Sequence, residues 1–479
     1  MSTYTSPTSV AGHTANTSAV VRITIVAAIG GFLFGYDSAV INGATGAMRE
    51  YFGVGPTALG SAVASALLGA AAGAALGGRL ADKLGRVRVM RIAAILFLLS
   101  SIFCAIDPFF GPDMGGFYWL VFWRVVGGVG VGVASIIAPA YIAEIAPADI
   151  RGRLGSLQQM GIVLGIFASQ ITNRIIVGFA GSAESSWLFG LDAWRWMFLL
   201  EAVPAIIYLV GAYTIPESPR WLVQQGRRDE AMTVMVRLQG QAPAEHRMSV
   251  IERTLDKEHN PRLSDLAGKA FGLKPIVWIG IGLAALQQLV GINVIFYYSN
   301  QLWQSVGFQE GDAFTISTIT SVTNVVVTIV AILLVDKIGR KRLLLIGSIG
   351  MALTLGTMAA VFATATVTDA GPVLGDTAGL IALVAANLYV VFFGISWGPV
   401  MWVLLGEMFP NKIRGAALAV AGFIQWIANW LVTVTFPIIS EASLVFAYGL
   451  YAFFALVSVF FVVKAVRETK GVELEDMHD

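Results

Sequence analysis

Asp82-Lys83-Leu84-Gly85-Arg86 closes one apolar stretch of the chain, and Asp336-Lys337-Ile338-Gly339-Arg340 closes another in the second half. A further pair follows each in the same order: Glu144-x-x-Pro147-x-x-x-Arg151-Gly152, then Glu407-x-x-Pro410-x-x-x-Arg414-Gly415. Two motifs repeated in one order mark a duplicated unit. In a membrane chain, a repeated half points to a transporter with its substrate between the halves.

Composition places the chain in the membrane. Hydrophobic residues make up 56% and charged residues 13% of its 479 residues, with a mean hydropathy of +0.75. An ordinary soluble domain is about a quarter charged, so this chain has too little polar surface to be solvated by water. The net charge of +1 argues against a nucleic-acid binder, which carries a basic excess. The single Cys104 lies in an apolar run, which excludes a disulfide framework and a thiolate metal site. His13, His246, His259 and His478 all fall in polar segments or tails, so neither a His metal site nor an intramembrane His relay is expected. No nucleophile–base constellation suggests an enzyme, and no cofactor is implied. Residues 1–18 are uncharged and rich in Ser and Thr. Without a basic start and a short apolar core they read as a disordered tail, not a cleaved signal peptide.

Twelve stretches approach the roughly 20 residues needed to cross the hydrocarbon as a helix. They begin near residues 20, 57, 88, 117, 153 and 196, then 274, 313, 342, 378, 414 and 444. The expected organisation is a tail (1–18), an N-terminal six-span bundle (19–215), a polar, partly helical connecting segment (216–272), a C-terminal six-span bundle (273–467) and a second tail (468–479). Basic residues set the orientation. Lys83, Arg86, Arg88 and Arg91 follow span 2, Lys337, Arg340, Lys341 and Arg342 follow span 8, and Lys412 and Arg414 follow span 10. The segments 107–116, 303–312, 366–377 and 437–443 hold no Lys or Arg. The reading is a multi-pass protein of the cell (plasma) membrane, solvated by lipid, with the tails and connecting segment cytoplasmic. Gly69, Gly73 and Gly77 in span 2, and Gly128 and Gly132 in span 4, leave bare faces for close helix packing.

In the duplicated loops, Gly85 and Gly339 permit a tight reversal. Asp82 and Asp336 can cap or pair at a neighbouring helix end, and the flanking bases can reach Glu144 and Glu407. With Arg151 and Arg414, such contacts form a latch that holds one conformation and breaks in the other. The alternative is topology alone, with basic residues keeping the loop inside.

Polar side chains interrupt the apolar spans. Gln287, Gln288 and Asn293 share span 7, which Gly291 interrupts; Gln159, Asn324 and Gln425 lie in spans 5, 8 and 11. One intramembrane amide is ordinarily interhelical glue. Six in both halves, beside Trp402 and Trp426, fit an uncharged polyol, because an amide both donates and accepts and an aromatic face suits the C–H face of a sugar ring. Gln158 lies about 100° round the helix from Gln159 and reads as packing. Asp37 is the one acid of span 1, roughly 9 Å below the outer surface, with Arg124 of span 4 at about 10 Å and Glu201 in the outer half of span 6. An unpaired charge at such depth costs up to roughly 3 kcal/mol, so pairing is expected. Asp37 beside Arg124 stays ionised; parting them favours the neutral acid, so a conformational swing could load and unload a proton. A static structural pair is the other reading.

Several of these runs resemble a known family. Gly78-x-x-x-Asp82-Lys83-x-Gly85-Arg86 is similar to the cytoplasmic loop signature of the major facilitator superfamily. Pro216-Glu217-Ser218-Pro219-Arg220-Trp221-Leu222, Gln287-Gln288-Leu289-Val290-Gly291-Ile292-Asn293 and Gly398-Pro399-x-x-Trp402 resemble its sugar-porter branch. The resemblance covers essentially the whole chain and is strongest toward bacterial glucose- and xylose-type proton symporters. One departure is Arg467 in Arg467-Glu468-Thr469-Lys470-Gly471, where the family usually has Pro. The resemblance implies an all-α membrane fold of two pseudo-symmetric six-helix bundles. It puts Gln159, Gln287, Gln288, Asn293, Asn324, Trp402 and Gln425 at sugar-binding positions, Phe34, Tyr297 and Trp426 at the aromatic positions around them, and Asp37 at the acid of proton symporters. The expectation is alternating-access transport of a monosaccharide, glucose first, by proton symport. An uncoupled facilitator is the nearest alternative and a non-transporting sugar receptor a remote one.

Overall fold

The computed structural model describes residues 17–145, 151–255, 263–368, 371–410 and 413–469. The first half contains α1 (Thr17–Phe52), α2 (Pro56–Leu84), α3 (Arg86–Ala105), α4 (Met114–Ile145), α5 (Arg151–Ala180), α6 (Ala193–Leu200) and α7 (Ala202–Thr214). The polar middle holds α8 (Pro219–Gln224), α9 (Arg228–Gln239) and α10 (Gln241–Leu255). The second half comprises α11 (Pro275–Leu289), α12 (Ile292–Tyr297), α13 (Ser299–Ser305), α14 (Glu310–Ile338), α15 (Arg340–Phe362), α16 (Asp376–Gly394), α17 (Trp397–Met408), α18 (Arg414–Ala442) and α19 (Leu444–Ala465). With α6–α7, α11–α12 and α16–α17 each read through as one, 12 runs among the described residues are long and apolar enough to span a membrane. They start within a few residues of the positions expected from hydropathy, and they form two six-helix bundles, one from each half of the chain. A small hairpin, Thr366–Thr368 with Gly371–Val373, lies between α15 and α16.

The glycine faces bring α2 and α4 together. A Cβ at Gly69 or Gly73 would strike the backbone of Val125 or Val129, and one at Gly128 or Gly132 that of Ala66 or Ala70. Small residues on both faces are what allow that approach.

The duplicated loops fold as near copies. Gly85 has φ 95 and Gly339 φ 97, a left-handed turn that glycine adopts without strain. The next residue begins a helix in both cases. Arg86 Nε and Nη2 donate to Glu144 at 3.1 and 3.0 Å, and Arg340 Nε and Nη2 donate to Glu407 at 3.0 and 2.7 Å. These are bidentate Arg–carboxylate forks, the strong form of ion pair. Each Arg also donates through Nη1 to the preceding helix, at Ala81 O and Val335 O. Asp82 adds a 3.2 Å contact to Arg86. Both forks join helices of one bundle, α3 to α4 and α15 to α17, and do not cross between bundles. Arg414 donates to Phe409 O at 3.1 Å, closing its own turn. The side chains of Arg151 and Asp336 lie outside those described.

A third repeated element was not singled out in the sequence. Glu217, just after α7, accepts from the backbone N–H groups of Arg86 (2.9 Å) and Val87 (3.1 Å) at the start of α3. Glu468, just after α19, accepts from those of Arg340 (2.9 Å) and Lys341 (3.1 Å) at the start of α15. A helix N-terminus leaves its first N–H groups unpaired and carries partial positive charge, so a carboxylate there satisfies both. Burial pushes the Glu217 carboxyl up, while the N–H groups of Ser218, Val87 and Arg86 pull it back down.

The bundles meet away from these loops. Asn42 on α1 donates to Gln170 (3.1 Å) and Ser317 (3.3 Å) and accepts from Asn300 N (2.9 Å). Ser317 donates in turn to Asn300 (2.6 Å), and Gln170 to Phe296 O (3.3 Å). Toward the rim of the same end, Arg49 pairs with Glu441 (3.0 Å), Arg174 donates to Thr315 (3.0 Å) and Ala183 N to Glu310 (3.0 Å). At the other end, α8–α10 dock on the first bundle: Trp221 Nε1 donates to Asp82 O at 2.9 Å and Arg247 to Glu144 O at 2.7 Å.

Candidate functional site

Breaks in the spans create the site. Between α11 and α12, Gly291 sits at φ 80, and a Cβ there would meet the Tyr451 ring at 2.6 Å. Both the left-handed backbone and the space require glycine. In lipid an interrupted helix is tolerated only where its freed backbone finds other partners. Tyr389 Oη donates to Val290 O at 2.7 Å. Gln287 Nε2 donates to Trp397 O at 2.8 Å, at the second break, between α16 and α17.

That bond makes Gln287 the hub of an amide chain. Its Oε1 accepts from Gln288 at 3.2 Å and from Gln425 of α18 at 3.3 Å, and Gln288 Oε1 accepts from Asn293 at 2.6 Å. Four amides from three helical segments are thereby oriented with no formal charge among them. Phe34 of α1 and Trp426 of α18 face each other across the bundles, ring centroids 5.5 Å apart. Tyr297 of α12 is buried and lines a cavity together with Ser38 of α1. Trp402 is 38% exposed. Gln159 is half-buried, and Asn324 is buried facing Gly394 at the end of α16. None of these last three bonds to the amide chain. Gln158 is buried with its amide against Gly31 of α1, in keeping with a packing role.

The ionisable residues gather in the first bundle. Arg124 Nη1 donates to Asp37 Oδ1 at 2.9 Å and to Asp37 O at 3.3 Å, with the guanidinium 5.9 Å over the Phe198 ring. Glu201, at the junction of α6 and α7, is buried beside them; its Oε1 and Arg124 Nε have no hydrogen-bond partner among the described residues. A cavity next to the pair is lined by Asp37, Ser38, Val63, Leu67, Arg124 and Tyr297. The acid of the first bundle and Tyr297 of the second therefore share one space.

Sequence reading passed over Asn42, Gln170, Asn300 and Ser317, which tie the bundles. A signal existed: Asn42, Gln170 and Asn300 are amides inside or at the end of apolar runs, like those that were noted.

Twelve spans in two duplicated bundles, helices broken within the second bundle and a neutral amide cluster held at those breaks fit a membrane transporter for an uncharged polar solute. Comparison with known proteins agrees. A family model described as "Sugar (and other) transporter" matches residues 23–479, and the chain belongs to that family. It is 53% identical to the "Glucose transport protein" of Synechocystis sp., covering 97% of this chain and 98% of that one. It is 38% identical to the "D-xylose-proton symporter" of Escherichia coli, covering 96% of each. The inward-open xylose transporter XylE of E. coli superposes with a TM-score of 0.81 at 37% identity, over 96% of this chain and 99% of that one.

Proposed function

We propose that this protein moves a monosaccharide, glucose first, across the plasma membrane by alternating access, coupled to a proton. The observation that carries the reading is the amide chain Gln288–Gln287–Gln425 with Asn293, held at two helix breaks, in the same fold as the buried Asp37–Arg124 pair. Gln159, Asn324, Trp402, Phe34 and Trp426 complete the wall around the sugar. Relatives named for glucose transport and for D-xylose–proton symport support both halves of the reading.

In this reading the basic loops, the segment 216–272 and both tails (1–18 and 468–479) face the cytoplasm. The ties around Asn42 then seal the outer side, and the structure faces inward. Bundles 19–215 and 273–467 rock about the sugar. Arg86–Glu144 and Arg340–Glu407, with Asp82, Asp336, Arg151 and Arg414, brace the inner end of each bundle as it rocks. Both forks are formed within their own bundle in this inward-facing arrangement, so they are not the contacts that close the inner gate. Asp37 carries the proton; Arg124 holds it charged until the pair parts, and Glu201 shares their buried field. A proton moving down 100 mV supplies about 2.3 kcal/mol and each pH unit about 1.4 kcal/mol, enough for a large sugar gradient at one proton per sugar. No covalent chemistry is required.

The test is uptake of labelled glucose into proteoliposomes under an inward proton gradient. Accumulation above the outside concentration that an uncoupler collapses supports symport. Equilibration to the same level with and without uncoupler would leave a facilitator, with Asp37–Arg124 a structural pair.

A further inference from the structure

The turn that leads into α11 holds an aromatic ring where water does not favour one. Gly268 N donates to Gly272 O at 3.1 Å and Lys274 N to Leu266 O at 3.0 Å, folding residues 266–274 into a tight hairpin. At its tip Phe271 has φ 48 and is 96% exposed, and Gly272 follows at φ 85. A left-handed backbone is strained for a bulky residue, and turns that need it normally use Gly or Asn. Phe271 therefore carries two costs at once, of conformation and of hydration. A ring out of water removes the second and offsets the first, since burying an aromatic side chain is favourable.

The surroundings say what covers it. Pro275 begins the seventh span, so the hairpin lies within a few residues of where α11 enters the membrane. Trp278, on the first turn of that span, is 40% exposed and donates through Nε1 to Ala270 O at 2.8 Å. That bond fixes the hairpin against the outward face of α11, which is continuous with the lipid-facing surface. A ring with an apolar body and a satisfied N–H is suited to the headgroup boundary. Lys269 and Lys274 flank the tip, matching anionic headgroups.

We propose that Phe271 and Trp278 form a wedge inserted into the interfacial layer of the bilayer, a lipid anchor for the start of α11. The helix that carries Gln287 and Gln288 is thus pinned to the membrane at one end and broken at Gly291 at the other. The anchor rests on the membrane location of the fold and not on which solute is carried.

The test uses the full-length protein in liposomes. Cys104 is the one cysteine of the chain, so Phe271→Cys in a Cys104→Ser background accepts a single environment-sensitive fluorophore. Glu230→Cys, on the exposed helix α9, is the aqueous control. The expected result is blue-shifted emission at position 271, several-fold stronger quenching by lipids brominated high on the acyl chain than at the control, and little quenching by iodide. Emission and iodide quenching equal to the control would overturn the anchor. Shielding from both quenchers that vanishes as protein is diluted in lipid would also overturn it, in favour of contact with a second protein copy. A second variant needs no label. Phe271→Gly relaxes the turn, so it should melt at the same or higher temperature in detergent yet lower than the parent in bilayers. Equal gains in both media would refute insertion.

Discussion

Arg124 Nη1 lies 2.9 Å from Asp37 Oδ1, joining α4 to α1, and the two side chains are only 2% and 3% exposed. So deep a pair is held by mutual compensation, and removing one partner leaves a charge that costs about 3–5 kcal/mol. Asp37→Asn removes the titrating acid but keeps shape and polarity. It should abolish accumulation of sugar against a gradient while exchange of labelled for unlabelled sugar continues. Concentrative uptake that survives in Asp37→Asn would remove Asp37 from the coupling step. Asp37→Asn and Arg124→Leu should both lower the melting temperature, because each leaves the partner's buried charge uncompensated.

Gln287 spends its donor on Trp397 O and its acceptor on Gln288 and Gln425. Gln287→Ala therefore frees three neighbours along with its own contacts. We expect the half-saturating sugar concentration to rise tenfold or more, a loss of about 1.4 kcal/mol or above. Gln158→Ala, on the packing face toward α1, should leave that constant unchanged. Sugar-dependent uptake kinetics on the two variants separate the roles.

Gly291→Ala places a Cβ on the Tyr451 ring at a left-handed residue. Strain at such a position is of order 1–3 kcal/mol, before the clash is counted. Transport should fall sharply, and trimming the ring with Tyr451→Ala in the same chain should recover part of it by removing the clash but not the backbone strain.

Glu217 and Glu468 cap α3 and α15 by the same two-N–H grip. Replacing an N-terminal capping side chain by Ala costs about 0.5–2 kcal/mol. Glu217→Ala and Glu468→Ala should each lower the melting temperature in detergent, with effects that add because the caps lie in different bundles. Strong non-additivity would show that the two loops are coupled.

Glu184, in the segment after α5, is pushed up by burial, with Glu50 and Glu310 adding to the shift. Glu310 also accepts from Ala183 N across the bundles, so the group sits at the seam. A raised value means that this closed arrangement binds the proton more tightly than one in which the acids separate. The seam should be firmest in acid and loosen as the pH outside rises from the ordinary Glu value of about 4.3 upward. Glu184→Gln should remove that dependence. The measurement is thiol labelling of Ser317→Cys, in the Cys104→Ser background, as a function of external pH.

Hydropathy and the repeated Asp-Lys-x-Gly-Arg loops were enough to read the two bundles, because a span needs only length and apolarity and a duplicated loop needs only its motif. The pairing of Asp37 with Arg124 followed from equal depth, since a lone charge there is too costly. The partners of the amides did not follow. Whether Gln288 bonds Gln287 or Gln425 depends on helix rotation and rotamers, which a periodic apolar pattern leaves free. The third repeat was visible as Glu-Ser after span 6 and Glu-Thr after span 12. It was hidden by reading Arg467-Glu468-Thr469 only for the missing Pro, when the structural content lies in the acid that follows. The ties around Asn42 were passed over because each amide, taken alone, looks like ordinary packing between helices.

The two caps also bear on how the chain is made. Arg86 waits for a carboxylate 131 positions further along and Arg340 for one 128 positions further along. A chain emerging from the ribosome thus inserts α3 with its first N–H groups unmet, and meets them only after the sixth span of that half has cleared the exit. The same delay recurs for α15. Each half therefore closes the open end of its third helix only when the carboxylate beyond its last span is in place.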